Sequence, residues 1–352
     1  MRFRRTRRSP IGVEIGPTTI RMIQVEWNGD EGRVAASVEL SRRERGDPAN
    51  AEVSLDDEAK NAIRRALSEN EFKGRRAIVA LPSRHVIMRH VKVDQTEGQA
   101  LHDALLFELE DAFPGDAPVV QHLEVGDVME RGETRHELIL LAAGLGKVDE
   151  VVTGLDEAGL EPIAIDAETC ALIRCFMRRR RRQSDSDTHT AIIHLSDQST
   201  LMAITGAGHA LFMKQLPLGT AQMFEVLEQR LDLTAEDIRY AAHDPEASEE
   251  LAPRVCQALR LQLDSLSLEL SACLRYHAAS RRSPGGLELV LSGRGSMIPG
   301  LADSLSESLA MTVNRPDPFT LAFSGIAAPE RLSRDFAAWS VPLGLTLRQE
   351  SA

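Results

Sequence analysis

The stretch Ile11-Gly12-Val13-Glu14-Ile15-Gly16-Pro17-Thr18-Thr19-Ile20-Arg21-Met22-Ile23-Gln24-Val25 reads as a strand, a tight turn and a second strand. The first arm is apolar and β-branched, the turn carries Gly, Pro and two Thr, and the second arm returns to Met, Ile and Val. Glu14 ends the first arm, and Gly16 lets the backbone turn sharply beside it. Backbone N–H groups and the Thr18 and Thr19 hydroxyls of such a turn can face a phosphate, while the carboxylate can hold a metal-bound water. An ordinary hairpin with a Gly turn uses the same residues, so the motif alone decides nothing.

A second copy changes that balance. Residues 191–205, Ala191-Ile192-Ile193-His194-Leu195-Ser196-Asp197-Gln198-Ser199-Thr200-Leu201-Met202-Ala203-Ile204-Thr205, repeat the order of apolar strand, small polar turn and apolar strand. Glu14 aligns with His194, Gly16 with Ser196, Thr19 with Ser199 and Met22 with Met202. An internal repeat reveals architecture. Two such hairpins, each opening about half the chain, predict two related α/β domains facing one another over a cleft.

The bulk properties agree. A chain of 352 residues exceeds one typical core, so two lobes are expected. No window approaches the ~18 consecutive apolar residues of a membrane span, and Glu137 to Gly146, among the most apolar stretches, is too short. The N-terminus is basic without an apolar signal core, so export is not expected. Cys170, Cys175, Cys256 and Cys273 lack CxxC spacing and read as reduced core residues, against a disulfide framework or a zinc site. The formal charge of −12 argues against a nucleic-acid partner. Two basic blocks run against it: Arg2, Arg4, Arg5, Arg7 and Arg8 around Phe3, and Arg178 to Arg182. Either could attract anionic lipid headgroups, or be a solvated tail and a solvated linker.

In chain order, Arg33 to Leu40 supplies a third strand, and Ser54 or Asp56 caps a helix through Ala59, Ile63, Ala66 and Leu67. Arg76 to Leu81 is a buried strand stopped by Pro82, with His85 to Val93 as its partner. An amphipathic helix is predicted over 97–113 from Leu101, Leu105, Leu109 and Phe113, then strands at Val119–Val125 and Glu137–Ala143. Residues 83–143 thus form a small α/β insert. A helix at Val148–Ala158, a strand at Pro162–Asp166 and a helix at Glu168–Met177 complete a first lobe spanning 11–177, after a basic tail at 1–10. A polar linker at 178–188 leads into a second lobe at 189–348. That lobe continues with a strand at Ala210–Gln215, a helix from Gly219-Thr220 and a capping box at Thr234 and Asp237. A long Leu-striped helix follows Pro253, and strand Leu287–Leu291 feeds Ser292-Gly293-Arg294-Gly295-Ser296 and a helix at 299–310.

Taken in order, these pieces resemble the actin-like ATPase superfamily and, within it, the type IV pilus assembly protein PilM family, from Ile11 to Arg348. The features that carry the resemblance are the Glu14–Thr19 turn, Ala80-Leu81-Pro82-Ser83, Ala158-Gly159-Leu160 leading to Ile165-Asp166, and Leu216 to Thr220. Further along come Ala235-Glu236 with Arg239, Leu291-Ser292-Gly293 with Ile298-Pro299-Gly300-Leu301, Pro318-Phe319, and Trp339 to Arg348, similar to the family's C-terminal strand.

The resemblance implies two RNase H-like lobes, with the insert in the subdomain position used by PilM and the division protein FtsA. It implies a cytoplasmic protein, peripheral to the inner membrane, that docks a short cytoplasmic peptide of a PilN-like partner near the first lobe and insert. Self-association belongs to the same picture. It also implies an ATP and Mg²⁺ cleft. On this sequence the phosphate turns would be Gly16, Thr18, Thr19, Ser196 and Ser199, backed by Gly219 and Thr220. The adenosine side would use Glu236, Arg239, Gly293, Arg294 and Gly295. Glu14 and Asp197 would hold the metal, and Asp166 and Glu168, with Glu14, would position water.

Departures from the family pattern fall on that cleft. Family hairpins carry Asp where Glu14 and His194 stand, and an imidazole supplies no hard anionic oxygen for Mg²⁺. Ser196 replaces the Gly that lets backbone approach phosphate, and Arg294 replaces a second Gly and can fill the base site. These changes predict a scaffold with a degenerate nucleotide cleft. The alternative is an active ATPase whose nucleotide state opens and closes the cleft. A sugar kinase on the same fold is a third reading, and no separate sugar-binding constellation supports it.

Overall fold

The structure is a computed structural model. It describes residues 6–29, 31–42, 55–94, 97–130, 132–178, 188–206, 208–234, 237–238, 240–241, 251–280, 286–298, 300–323, 329–333 and 335–348. The opening hairpin forms as predicted. A two-residue stub, β1 (Arg7–Arg8), and β2 (Ile11–Ile15) both run along β3 (Thr19–Asn28), which β4 (Glu31–Ser41) flanks on its other edge. β5 (Arg76–Leu81) lies parallel to β2, and α1 (Asp57–Glu69) connects β4 to it. Asp56 caps it, its carboxylate accepting the Ala59 N–H at 2.8 Å; Ser54, the other cap candidate, lies outside the described residues.

The insert is a three-stranded antiparallel sheet, β6 (Ile87–Val93), β8 (Glu133–Gly144) and β7 (Pro118–Glu130) in that spatial order, with α2 (Gly98–Phe107) on one face. Leu105 and Leu109 pack there against Val91, Val93, Leu138 and Leu140. The helix expected over 97–113 therefore ends early. Beyond Phe107 the chain tightens into turns, Leu109 N–H to Leu106 O at 3.0 Å and Ala112 N–H to Leu109 O at 2.9 Å, which still bury Leu109. α3 (Leu145–Glu157) returns to the first sheet, β9 (Glu161–Ala167) adds its last strand beside β5, and α4 (Glu168–Met177) covers it.

The second lobe repeats this plan. β10 (His189–Leu195), β11 (Thr200–Gly206) and β12 (His209–Leu216) form the antiparallel meander, with β13 (Leu287–Ser292) parallel to β10 and β14 (Val313–Asn314) beyond it. The order β12-β11-β10-β13-β14 matches β4-β3-β2-β5-β9 of the first lobe. Registers match too: Ile15 faces Ile20 and Glu14 pairs with Ala80, as Leu195 faces Thr200 and His194 pairs with Ser292. Between β12 and β13 come α5 (Thr220–Leu231) and α6 (Leu251–Ser280). The Leu stripe of α6 is core: Leu259, Leu263, Leu266 and Leu270 are buried against β10, β11 and α5.

Two expectations at the end of the chain need correction. The helix placed at 299–310 is α7 (Leu301–Leu309), preceded by a 3-10 turn at Arg294–Met297. The stretch from Trp339 is not a strand. After α8 (Pro318–Ala322), α9 (Glu330–Ser333) and a 3-10 turn at Phe336–Trp339, it forms α10 (Ser340–Thr346), every residue of which is buried. Lying across a sheet face rather than along an edge, this segment must satisfy its backbone internally, and a helix does so. α10 packs on α4, β2, β3 and β5, so the sequence placed at the end of the second lobe closes the first.

The insert also reaches across. Ile139, Leu141 and Val125 meet Ala203, Ala210 and Met213 of the second lobe, His90 stacks on Phe212 at 5.2 Å, and the Met213 N–H donates to His90 Nε2 at 3.2 Å.

The close seat of α10 depends on two glycines. A Cβ on Gly344 would lie 2.0 Å from the Ala171 carbonyl oxygen, and one on Gly12 would lie 2.2 Å from that of Pro342. Gly154, inside α3, has no neighbour nearer than 3.5 Å. Gly344→Ala is expected to lower unfolding stability by about 2 kcal/mol or more through overpacking. Gly154→Ala should be neutral or stabilise by up to about 1 kcal/mol. Urea titrations of the two variants beside the parent chain check both signs.

Candidate functional site in the interlobe cleft

The two repeated turns have the same internal bond: Gly16 N–H donates to Thr19 O at 2.8 Å, and Ser196 N–H to Ser199 O at 3.0 Å. They meet across one cleft between the lobes, which also gathers Glu14, Thr19, Glu168, Asp197, Ser199 and Arg294. Contacts already span it. Ser83 Oγ lies 3.1 Å from Ser199 Oγ, and the Arg84 guanidinium donates to Gln198 Oε1. The space left is about 70 Å³, enough for a few waters.

Other expected site residues stand behind this lining. The Thr220 hydroxyl donates to Asp197 Oδ1 at 3.2 Å. Gly219, Gly293 and Gly295 are glycines for packing reasons: a Cβ would lie 2.3 Å from Asp197 O, 2.3 Å from Leu195 O and 2.5 Å from the Leu195 side chain. Gly293 also has φ of 86°. Thr18 does not line the cleft, and its carbonyl accepts the Arg42 N–H at 2.7 Å. Asp166 departs most from expectation, lying in a different groove. Glu236 and Arg239 fall outside the described residues.

The electrostatics turn on a residue that the sequence reading passed over. Arg21 is buried in β3; its Nη1 donates to Glu14 Oε2 at 3.3 Å and its Nε to Glu39 Oε2 at 2.7 Å. The three are cross-strand neighbours, Glu14 opposite Arg21 and Arg21 opposite Glu39. Arg294 extends the row from the second lobe, donating to both Glu39 oxygens at 2.8 and 2.9 Å and through Nε to Asp335 at 2.9 Å. Charges thus alternate from Glu14 through Arg21, Glu39 and Arg294 to Asp335.

Burial opposes the charges of Glu14, Arg21, Glu39 and Arg294, and the balance against their partners differs along the row. For Arg21, Glu14 and Glu39 more than reverse the burial penalty and hold the pKa above its usual value. For Glu39, Arg21 and Arg294 outweigh burial and pull the carboxyl below its ordinary range. Burial wins at Glu14, which stays raised although Arg21 pulls it down. Burial, joined by the Glu14 charge, pushes Glu168 up to about 7, against a bond from the Ser83 N–H at 3.2 Å. Burial and then Arg21 depress His194 to about 3, so its ring is neutral. His194 Nδ1 lies 3.2 Å from Ser292 Oγ, which donates to Ser340 Oγ at 2.8 Å. Among the described residues no group of three or more His, Cys, Asp or Glu side chains converges as a metal site.

A second, larger concavity lies between the first lobe and the insert. Its volume is about 520 Å³, and Leu81, Val86, Val119, Leu123, Leu141 and Ile165 make it chiefly apolar. Asp166 closes one end, paired with Arg174 and, at 3.2 Å, with Arg348. Cys170 in this wall is an unreactive thiol, pushed up to about 12 by burial and by Asp166.

Residues 12–350 match the family of type IV pilus assembly protein PilM. The chain belongs to the PilM family. A solved PilM–PilN type IV pilus biogenesis complex aligns with a TM-score of 0.77 at 21% identity, covering 96% of this chain and 98% of that one. Ethanolamine utilization protein EutJ from Carboxydothermus hydrogenoformans aligns at 0.57 with 14% identity, over 97% of this chain and 89% of that one. At such identities the likeness is one of fold, and the fold is actin-like. No curated protein sequence matches the chain.

Within this PilM-family chain, Arg21 carried a sequence signal. A hairpin whose turn is Gly16 to Thr19 places residue 21 opposite residue 14, so an arginine in an otherwise apolar arm falls beside the acid. Glu39, Asp335, Ser83 and Arg84 required the tertiary fold.

The raised Glu168 gives a pH signature. Its folded pKa lies above the unfolded value, so its favourable contribution is complete below about 4.5 and lost as pH rises through about 7. Glu168→Gln is therefore expected to gain stability over the parent chain at pH 8 and to lose that advantage near pH 4. Urea midpoints across that range test it; an advantage that grows toward low pH would contradict the assignment.

Proposed function

We propose that this chain is a PilM-like scaffold. It acts in the cytoplasm, at the inner membrane, within a type IV pilus or related secretion apparatus, and docks the short cytoplasmic peptide of a PilN-like membrane partner. The observation that carries this reading is the apolar groove between first lobe and insert, on a PilM-family chain whose fold matches a structure of a PilM–PilN complex. β7 lines the groove with Val119, Gln121 and Leu123 and is an edge strand of the insert sheet. An extended peptide there can add backbone bonds to that edge while its alternate apolar side chains enter the groove. Asp166, Arg174 and Arg348 give the polar end a fixed direction. No described helix is long and apolar enough to cross a membrane, and in this reading the partner supplies the attachment.

The nucleotide cleft is degenerate in the same reading. A Mg²⁺-bound water needs a free hard carboxylate, whereas Glu14 is already paired with a guanidinium that would repel a dication. His194 is neutral and engaged with Ser292. Arg294 is held by Glu39 and Asp335 where a nucleoside would need room, and about 70 Å³ does not admit one. Glu14, His194 and Arg294 are thus poor partners for Mg²⁺–ATP, although Asp197 keeps a carboxylate in the cleft lining, and protein groups hold the lobes together.

Two titrations test the scaffold reading. A synthetic peptide of the N-terminal cytoplasmic residues of the PilN-like protein encoded with this chain should bind, and Leu123→Glu should weaken it about tenfold or more. An unchanged affinity in that variant would remove the groove from the reading. In calorimetry Mg²⁺–ATP should give no micromolar binding. A micromolar heat abolished by Glu14→Ala would favour the active ATPase instead.

A further inference from the structure

Both arginine-rich blocks of the sequence meet the fold at one tryptophan. Trp27 stands near the end of β3, on the side of the first sheet away from the cleft. Arg7 of β1 lies directly across from it, and Arg8 across from Glu26. On its other side Trp27 faces Gly32 of β4, where a Cβ would lie 2.4 Å from the indole, so the ring lies over the glycine. The ring meets Phe323 edge-on at 5.5 Å, and its face carries the Arg178 guanidinium, 4.1 Å from the ring centre. Arg8 is the last of five arginines in the tail, and Arg178 is the first of five in a row. Both blocks are thus fastened to the fold at the same place.

The turn at 71–76 is tied against this corner. The Gln24 side-chain amide donates to Ser9 O at 2.9 Å and to Lys73 O at 2.8 Å, and Arg8 Nη1 donates to Glu71 O at 2.7 Å. Lys73, Arg75 and Arg76 of that turn are exposed. Acids stand here too. Glu26 is shared by Arg8, at 3.7 Å, and Arg33, and Glu31, Glu69, Glu71 and Glu161 are exposed at the same end. The described residues are therefore near balance, and the two blocks set the sign. In sequence Arg2, Arg4 and Arg5 lead into β1 and Arg179 to Arg182 follow Arg178, with Asp185 and Asp187 beyond them and Asp30 between β3 and β4. On a chain of net charge −12 this makes one end positive.

We propose that this end of the first lobe rests on an anionic membrane surface, the two arginine blocks acting there as one site. Guanidinia on both sides of a folded corner suit a partner whose charge is spread over a plane, and each basic residue near such a surface is worth about fivefold in affinity. Phe3, among the tail arginines, adds an apolar group of the kind that enters the headgroup layer. A nucleic acid is the weaker occupant. Binding without sequence preference uses free aromatic faces for base stacking, and Trp27, the ring described at this end, is already covered by Arg178 and Phe323. The contact adds to the docking of a partner's peptide and needs nothing in the insert groove, so its failure and that of the scaffold reading are separable.

Co-sedimentation of the full chain with lipid vesicles, without partner, tests it. At about 0.1 M salt the parent should bind phosphatidylcholine vesicles containing about one third phosphatidylglycerol, leave pure phosphatidylcholine vesicles unbound, and be released at about 0.5 M salt. The triple variant Arg4→Gln, Arg5→Gln, Arg7→Gln and the triple variant Arg179→Gln, Arg180→Gln, Arg181→Gln should each weaken binding about tenfold or more. Combined, they should weaken it by about the product of the two losses. The double variant Arg254→Gln, Arg260→Gln on the second lobe should bind like the parent. Matched thermal melts establish that the variants are folded. No binding to the anionic vesicles, equal binding to neutral ones, or a loss confined to one block would each overturn the proposal. So would binding of a single-stranded oligonucleotide that is tighter than that of the vesicles and is lost in the same variants.

Discussion

A buried carboxylate at the tip of the first hairpin constrains much of what surrounds it. Glu14 lies deep enough for burial to dominate its proton affinity, and an unpaired charge in such a place costs several kcal/mol. The first lobe meets that demand within its own sheet: Arg21 stands directly across from Glu14, and Glu39 directly across from Arg21. The hairpin therefore carries its own counter-ion. Arg294 then ties the same row to the second lobe through Glu39. The same charges thus join the two lobes.

The second lobe shows what happens when that demand is absent. It repeats the strand order and the register of the first, yet His194 replaces Glu14 and Leu201 replaces Arg21 at matching positions. A charged pair has become a neutral one. His194 is kept uncharged by burial and linked through Ser292 to Ser340 in α10, a helix that packs on the first lobe. The two halves thus share a backbone plan while dividing their chemistry. Behind the first turn stands an ion pair, and behind the second a neutral hydrogen-bonded row.

Much of this architecture was legible in the sequence because it rests on local pattern: paired apolar arms around Gly16 and Ser196, a buried run at Arg76–Leu81, and Leu residues at threes and fours in α6. The last helix was not. In Ser340-Val341-Pro342-Leu343-Gly344-Leu345-Thr346-Leu347 apolar and other residues alternate much as in a strand, and only its burial on all sides makes it a helix. The site divided along a similar line. Glu14 and its turn announced themselves through the repeat. Asp166 and Glu168 looked equivalent as neighbours, but one ends a strand facing the insert groove while the other opens α4 toward the cleft. Glu39 and Asp335 meet Arg294 only through tertiary folding, which spacing along the chain does not encode.

The insert joins the two concavities mechanically. Leu123 and Leu141 line the apolar groove toward the first lobe, and both also belong to the cluster that packs Val125 and Ile139 against Ala203, Ala210 and Met213 of the second lobe. The same sheet therefore bears on both lobes, through side chains rather than through a hinge. Packed side chains transmit displacement because the interior has little free volume to absorb it. On the scaffold reading a peptide in the groove would touch Leu123 and Leu141, which pack in one cluster with Ala210 and Met213 of β12, where His90 accepts the Met213 N–H. At the cleft the lobes are joined a second time, by the Glu39–Arg294 bond. In a chain built this way, the wall of the insert groove and the second lobe share one packed cluster.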